Sequence, residues 1–197
     1  MRQHNEDSAA GSPPEKSGSY WVFGYGSLMW DPRVPVQKML AGTVQGWHRR
    51  FSMVKTTTWG SPEKPGLAAG LHPGGFTTGF GIKIAAKDWA EAEAALDYRE
   101  RHYLRRWVTL HGQDGRLYRA LTYIAHPNSG AFLPDLPLEE TRRRYLTGEG
   151  TLGSTRFYIE ETAHQLASKG YGRTDAHALL ARLADPAEPP SLPARAC

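Results

Sequence analysis

The order of strand-like and helix-like segments constrains the fold of this 197-residue chain more than any other feature. Short apolar or alternating pieces, bounded by glycine and proline, predict strands at 21–23, 42–55, 67–71 and 78–84, with turns near Gly46 and at 72–75. Because strands come first and most helices come last, we predict an α+β fold with a mainly antiparallel sheet or barrel. Alternating βαβ units are not expected.

The helical signals follow these strands. A first helix is predicted to begin near Asp88, because Asp88 and Glu91 have the spacing of a variant capping box. Further helices are predicted at 138–147, 154–169 and 174–183. A hairpin of strands 107–111 and 117–125 is predicted between the first two helices, since Asp114 and Gly115 favour a tight turn.

The length of the chain fits one domain, which we place at residues 19–184. Residues 1–18 are polar and lack the apolar core of a signal peptide, and 185–197 contain a run of prolines. Both segments are predicted to be disordered tails. No apolar run approaches the ~20 residues that span a bilayer. We therefore expect a cytoplasmic protein with no membrane association.

Few residues have the arrangement that covalent or metal chemistry requires. The single cysteine, Cys197, is the last residue, so neither an internal disulfide nor a cysteine nucleophile is expected. The eight histidines form no metal-binding motif, and no metal site is predicted. The net charge of +4 is scattered; 142–144, for example, lie beside Glu139 and Glu140 in a predicted solvated helix face. This mild bias does not predict nucleic-acid binding.

The junction at residues 21–30 (WVFGYGSLMW) has the pattern of a strand that runs into a glycine-containing loop. Gly24 and Gly26 permit positive φ and close approach of the backbone to a ligand, and such loops can direct N–H groups at an anion. A dinucleotide site is disfavoured because no third glycine follows and Pro32 and Pro35 disrupt the next segment. A plain β-turn is the structural alternative to a binding loop.

Five segments, in order, resemble the ChaC branch of the γ-glutamylcyclotransferase superfamily. They are 23–30 (FGYGSLMW), 46–51 (GWHRRF), 62–67 (PEKPGL), 96–100 (LDYRE) and 137–139 (PLE), and the resemblance covers roughly residues 20–183. It implies the γ-glutamylcyclotransferase fold, a small, mostly antiparallel β-barrel flanked by helices. It also implies a reaction in which the α-amine of a γ-glutamyl compound attacks its own γ-carbonyl. Such a reaction needs no protein nucleophile, metal or cofactor.

Glu100 is the candidate general acid and base. Trp89, Leu96 and Glu100 recur at helical spacing, which places a carboxylate at the end of the inward helix face. Burial there would raise its pKa, and one such carboxylate can remove and return a proton. The alternative from spacing alone is a helix-end salt bridge with Arg99, Arg101 or Arg105. The resemblance favours catalysis, because Glu100 matches the catalytic glutamate of the family.

The resemblance also implies the substrate-binding residues. The loop would bind the glutamyl α-carboxylate and amine, mostly through its backbone, at Tyr25, Gly26, Ser27 and Leu28. Tyr158 matches a tyrosine that lines the family's site, with a core tyrosine as the alternative. Arg50 is a candidate contact for a substrate carboxylate, with a surface arginine on a strand as the alternative.

The chain departs from the family pattern at two places near these residues. Thr155 and Phe157 stand where an asparagine and a glutamate are common. ChaC proteins usually place Gly-Gly-Tyr after the glutamate and a lysine, whereas this chain has residues 101–103 (RHY) and is one residue shorter. The change could reshape the pocket near the leaving group, so another γ-glutamyl substrate stays an alternative to glutathione. We predict a monomeric enzyme that degrades glutathione to 5-oxoproline and cysteinylglycine. The alternatives are a cyclotransferase for another γ-glutamyl peptide or amine, and a non-catalytic γ-glutamyl-binding or regulatory protein linked to cation transport.

Overall fold

The computed structural model describes residues 18–184. The C-terminal tail predicted at 185–197, and all but the last residue of the N-terminal tail predicted at 1–18, lie outside the described residues. Within the described part, no helix is both long and apolar enough to cross a bilayer.

Within residues 18–184, five strands close into a small barrel that four helices surround, so the predicted α+β class and barrel are confirmed. The strands are β1 (Ser19–Gly24), β2 (Lys38–Lys55), β3 (Gly66–Ala85), β4 (Tyr103–Gly112) and β5 (Leu117–Ala125). Their order around the barrel is β1-β3-β2-β4-β5, and neighbouring strands are antiparallel. The exception is the parallel pair β1–β5, which closes the barrel.

The turns predicted near Gly46 and at 72–75 are wrong. Both positions lie inside the long, mutually paired strands β2 and β3, where the pairing shifts register between Gln45 and Trp47. Gly46 and Gly74 adopt φ values of 79° and 96°, which glycine tolerates without steric cost. A bulge thus bends the strands and pairing resumes beyond it, whereas a turn would have ended them.

The helices agree with the sequence prediction within a few residues. They are α1 (Ala86–Arg99), α2 (Leu138–Thr147), α3 (Thr155–Ala167) and α4 (Asp175–Ala184), and a two-stranded ribbon of β6 (Glu149–Gly150) and β7 (Gly153–Ser154) precedes α3. Ser154 caps α3 by accepting a hydrogen bond from Phe157 N at 3.0 Å. The cap predicted for α1 is wrong, because Ala85 is its N-cap and Asp88 lies within the first turn.

The core joins the barrel to the helices that carry the site. The apolar cluster inside the barrel includes the buried Trp21, Phe23 and Leu110, and Ile159 and Ala163 of α3 belong to the same cluster. A second cluster packs Trp89 and Leu96 of α1 against the barrel. Because burial of each large apolar side chain contributes about 1.5–3 kcal/mol, both helices are held firmly against the strand ends.

Candidate active site

One cavity is lined by the loop after β1, the ends of β2 and α1, and the first turn of α3. The lining residues that bear on chemistry are Tyr25, Gly26, Ser27, Leu28, Lys55, Trp59, Arg99, Glu100, Tyr103 and Tyr158. The cavity volume is about 90 Å³, enough for several water molecules and therefore for the polar head of a small ligand. The structure thus brings together the predicted Glu100, the predicted loop and the predicted Tyr158.

Glu100 lies at the C-cap of α1, where its N–H donates to Leu96 O at 2.8 Å. Its side chain is only 15% exposed, and its Oε1 is 3.3 Å from Arg99 Nε. The helix-end salt bridge therefore exists, and it is made by Arg99, while Arg105 pairs with Glu93 and Asp97. The pair does not remove the carboxylate from the cavity, because Glu100 and Arg99 both line it.

Burial raises the pKa of Glu100, and the positive charges of Lys55 and Arg99 oppose that rise. The burial effect is larger, so the proton binds more tightly than it would to an exposed glutamate. The position at a helix C-terminus acts in the same direction, since the partial negative charge there disfavours a carboxylate. A carboxyl group in this environment is suited to accept a proton and then return it.

The loop after β1 is held by hydrogen bonds from three directions. Tyr25 OH donates to Tyr123 O at 2.5 Å, and Met29 N donates to Gly26 O at 2.8 Å within a short 3-10 turn at Ser27–Met29. Arg99 Nη2 donates to Ser27 Oγ at 2.9 Å. Arg99 therefore joins the loop to Glu100, which fixes the carboxylate relative to the loop backbone.

The two loop glycines serve close packing, and neither adopts the positive φ that glycine permits. Gly26 has φ −140°, and Gly24 is absent from the positive-φ glycines of residues 18–184. A Cβ on Gly26 would lie 2.2 Å from Tyr158 OH, and a Cβ on Gly24 would lie 2.8 Å from Leu28 Cβ. Glycine is required because neighbouring side chains occupy the space that a Cβ needs.

Tyr158 is both a core residue and a cavity residue. Its side chain is 3% exposed and packs against the rings of Trp30, Phe51 and Trp59. Ala69 N donates to its hydroxyl at 3.3 Å. Burial raises the pKa of Tyr158 to about 12, so the phenol stays protonated at neutral pH. The two interpretations of Tyr158 from the sequence, a tyrosine that lines the site and a core tyrosine, are therefore compatible.

Residues 20–185 match the family model described as ChaC-like protein. This chain belongs to the ChaC-like family. The glutathione-specific gamma-glutamylcyclotransferase of Escherichia coli K12 is 31% identical over 156 residues, which cover 78% of this chain and 68% of that protein. The human glutathione-specific gamma-glutamylcyclotransferase 1 is 31% identical over 173 residues, or 84% of this chain and 77% of that protein.

Solved structures agree on the fold of this ChaC-like protein. A yeast gamma-glutamyl cyclotransferase specific to glutathione superposes with a TM-score of 0.75 at 22% identity, over 84% of this chain and 94% of that chain. The likeness supports the γ-glutamylcyclotransferase fold that the sequence predicted.

The structure does not bring Arg50 to the cavity. Arg50 is exposed on β2 and lines a separate surface depression, while its neighbours Arg49 and Phe51 are buried. Side chains alternate along a strand, so Arg49 points inward where Arg50 points outward. Arg49 instead supports the site, because its Nε donates to Tyr25 O at 2.7 Å.

Arg49 is a buried anchor for both the loop and α4. Its guanidinium donates to Tyr25 O, to Thr78 O and to Asp175 Oδ1, the last at 2.5 Å. We expect Arg49→Lys to lower the free energy of unfolding by about 2–4 kcal/mol, because an ammonium cannot reach three acceptors in this planar arrangement. Chemical denaturation measures the loss. The adjacent Arg50→Lys is the matched control and should change stability little; equal effects would contradict the anchoring role.

Thr155 and Phe157, where this ChaC-like protein departs from its family, both have structural partners. Thr155 Oγ1 donates to Trp59 O at 2.8 Å and accepts from Leu67 N at 3.2 Å, so the buried hydroxyl ties the loop after β2 to β3 and α3. The Phe157 ring stacks on Trp59 at 6.0 Å between centroids. Both residues therefore position Trp59, which lines the cavity.

The sequence predicted no site role for four of the named cavity residues, Lys55, Trp59, Arg99 and Tyr103. Arg99 was considered only as a salt-bridge partner, and Tyr103 only as part of the altered 101–103 segment. Lys55 was not singled out at all, although it ends a predicted strand directly before a loop and carries a charge. Among residues 18–184, no group of three or more His, Cys, Asp or Glu side chains is placed to hold a metal ion.

Proposed function

We propose that this ChaC-like protein is a γ-glutamylcyclotransferase that converts glutathione to 5-oxoproline and cysteinylglycine. The support is family membership, the names of the E. coli and human relatives, and the geometry of the cavity. The observation that carries the proposal is the buried Glu100 carboxylate, which lies in the same cavity as the loop of residues 25–28 and has a raised pKa.

The reaction forms one bond and breaks one. The glutamyl α-nitrogen attacks the γ-carbonyl carbon, and the bond from that carbon to the cysteine nitrogen breaks. The α-nitrogen loses two protons as it changes from an ammonium to a lactam N–H, and the cysteine nitrogen gains two as it becomes the ammonium of cysteinylglycine. Glu100 accepts protons from the first nitrogen and gives them to the second, so no net proton is consumed by the protein. The nucleophile belongs to the substrate, so the proposed step needs no metal or cofactor.

The cavity contributes by holding the substrate folded. Reactions within one molecule gain a large advantage when the reacting atoms are kept in contact. The loop residues Tyr25, Gly26, Ser27 and Leu28 are proposed to bind the glutamyl α-carboxylate and amine. Arg99 bonds both Ser27 and Glu100, and so sets the distance between the bound amine and the base. The Tyr158 hydroxyl packs against this loop at Gly26.

Release of 5-oxoproline from glutathione by the purified protein tests the proposal. We expect turnover of glutathione and slower turnover of γ-glutamyl amines. Faster release from another γ-glutamyl peptide or amine would keep the reaction and change the substrate, as the altered 101–103 segment suggests. Binding of glutathione without any 5-oxoproline would overturn the enzyme proposal in favour of a binding or regulatory role.

A cytoplasmic location, a monomeric state and the absence of nucleic-acid partners stay predictions. Cell fractionation tests the first, and light scattering coupled to size-exclusion chromatography tests the second. Salt-sensitive retention on DNA would contradict the third.

The pH dependence of turnover should follow the ionisation of Glu100. The base must be ionised to accept a proton, so kcat/KM is expected to rise with pH through the pKa of Glu100. Because burial raises that pKa, the acidic limb should lie above the value of about 4.3 expected for an exposed glutamate. Measurement of kcat/KM at constant ionic strength across pH 4 to 9 (roughly the stable range for such a protein) checks the limb. A limb at the value of a free glutamate would contradict the assigned environment.

A further inference from the structure

Lys55 is a cation in the cavity wall whose pKa is lowered by burial, and the negative charge of Glu100 opposes that change. It is the last residue of β2, and its ammonium lies 4.8 Å from the centroid of the Tyr103 ring. Within residues 18–184 the ammonium makes no hydrogen bond or ion pair, and the one carboxylate that lines the cavity is already paired with Arg99. A mostly buried charge in this state is costly unless a ligand completes it.

The charges of the cavity leave room for an added anion. Lys55 and Arg99 contribute two positive charges to the lining, against the single negative charge of Glu100. Glutathione offers one ammonium and two carboxylates. If the ammonium meets Glu100 and the glutamyl carboxylate meets the loop of residues 25–28, the glycine carboxylate is the group still without a partner.

We infer that Lys55 binds the terminal carboxylate of the substrate's leaving portion and so makes the site selective for γ-glutamyl peptides over γ-glutamyl amines. The inference rests on the proposed function. Lys55 lines the cavity at the end of β2, a different element from the loop and from α1. Its charge is held at the face of the Tyr103 ring, as in a cation–π contact.

Tyr103 has a role beside Lys55 in this arrangement. Tyr103 OH donates to Ala69 O at 2.9 Å, which fixes the ring that lies under the ammonium. Tyr103, the one residue of the altered 101–103 segment that agrees with the family pattern, thus supplies the platform for a cation in the cavity. Lys55 and Tyr103 act together as a determinant of which leaving group is accepted.

The test compares glutathione with its glycine amide, which keeps the length but lacks the terminal carboxylate. We expect Lys55→Met to lower kcat/KM for glutathione by about 10- to 100-fold, mainly through KM, the range for a charge-assisted hydrogen bond. If the charge pair is the interaction removed, the fold-loss in kcat/KM for the glycine amide should be at least about 10-fold smaller than that for glutathione. Lys64→Met removes the same charge from the exposed neighbouring loop and is the matched control.

The possible outcomes distinguish failure of the inference about Lys55 from failure of the proposed cyclotransferase function. Equal losses on both substrates would overturn the inference and make Lys55 a positioning residue for Glu100. The acidic limb should move to higher pH in either case, because the charge of Lys55 lowers the pKa of Glu100. If the wild-type protein releases no 5-oxoproline from either compound, the proposed function fails. In that case calorimetry still decides the binding part: Lys55→Met must weaken the binding of glutathione more than that of its amide, and equal weakening would overturn it.

Discussion

Glu100→Gln is expected to lower kcat/KM for glutathione by roughly 100- to 10,000-fold, the usual contribution of a general acid and base. Glutamine keeps the size and polarity of the side chain but cannot accept and return a proton. The loss should appear in kcat, because the amide can still fill the cavity wall beside Arg99. Steady-state release of 5-oxoproline measures it. Glu91→Gln, an exposed site on the same helix, is the matched control.

The stability of the same variant provides an independent check. Burial raises the pKa of Glu100, so the folded protein holds this proton more tightly than the unfolded chain does. The contribution of Glu100 to stability is therefore greatest at low pH and is lost as the pH rises through the folded pKa. Glutamine resembles the protonated acid. We expect Glu100→Gln to melt at or above the wild-type temperature at neutral pH, with the difference shrinking toward pH 4, near the unfolded pKa.

If Glu100→Gln is inactive and also melts well below the wild type, the loss of activity is not separated from a loss of folding. That result would also contradict the assigned cost of burying the charged Glu100 carboxylate. Full activity of a folded variant would exclude Glu100 as the base. The proton would then have to pass through another group of the cavity wall.

Gly26→Ala is expected to reduce both stability and turnover. The new Cβ would lie 2.2 Å from Tyr158 OH, so either the loop or the tyrosine must move. Overpacking of this kind costs about 1–3 kcal/mol, and a displacement of the loop near 1 Å can slow catalysis by roughly 100-fold. Thermal unfolding and 5-oxoproline release measure the two effects. Gly130→Ala is the control, since nothing lies within 4 Å of its Cβ position.

A second substitution tests the cause. In the double variant Gly26→Ala with Tyr158→Phe, the hydroxyl is gone and the nearest ring atom is the Cζ position at 3.3 Å. Adding Gly26→Ala to Tyr158→Phe should therefore lower stability much less than adding Gly26→Ala to the wild-type protein does. No restoration would show that the glycine is needed for another reason. If Gly26→Ala is as stable and active as the wild type, close packing at the loop is not required.

The sequence predicted what depends on local pattern. The order of strands and helices, the hairpin of β4 and β5, and the bounds of α2 at Leu138–Thr147 follow from periodicity and turn residues. Glu100 was found because Trp89 and Leu96 define an inward face on α1, and the helix continues that face to its C-cap. The resemblance to ChaC proteins added the loop and Tyr158, which the cavity brings together with Glu100.

The turns predicted from glycine and proline were wrong where strand pairing continues through them. Gly46 and Gly74 have the local character of turns, but β2 and β3 pair on both sides of them, and the sum of those hydrogen bonds favours a bulge. Likewise, adjacent arginines at 49 and 50 look equivalent in sequence. Only the register of β2 decides that one is a buried anchor and the other is exposed.

The sequence by itself determined the class of fold, the position of Glu100 at a helix end and the family to which the chain belongs. The tertiary structure decided how the cavity is assembled. Closure of the barrel by β1 and β5 places Tyr25 against Tyr123, 98 residues away, and packing of α3 sets Tyr158 against Gly26. It also decided that Lys55 faces the same space as Glu100. Local periodicity reports which face of an element is buried, but the partner of that face depends on strand register and helix packing across the whole chain.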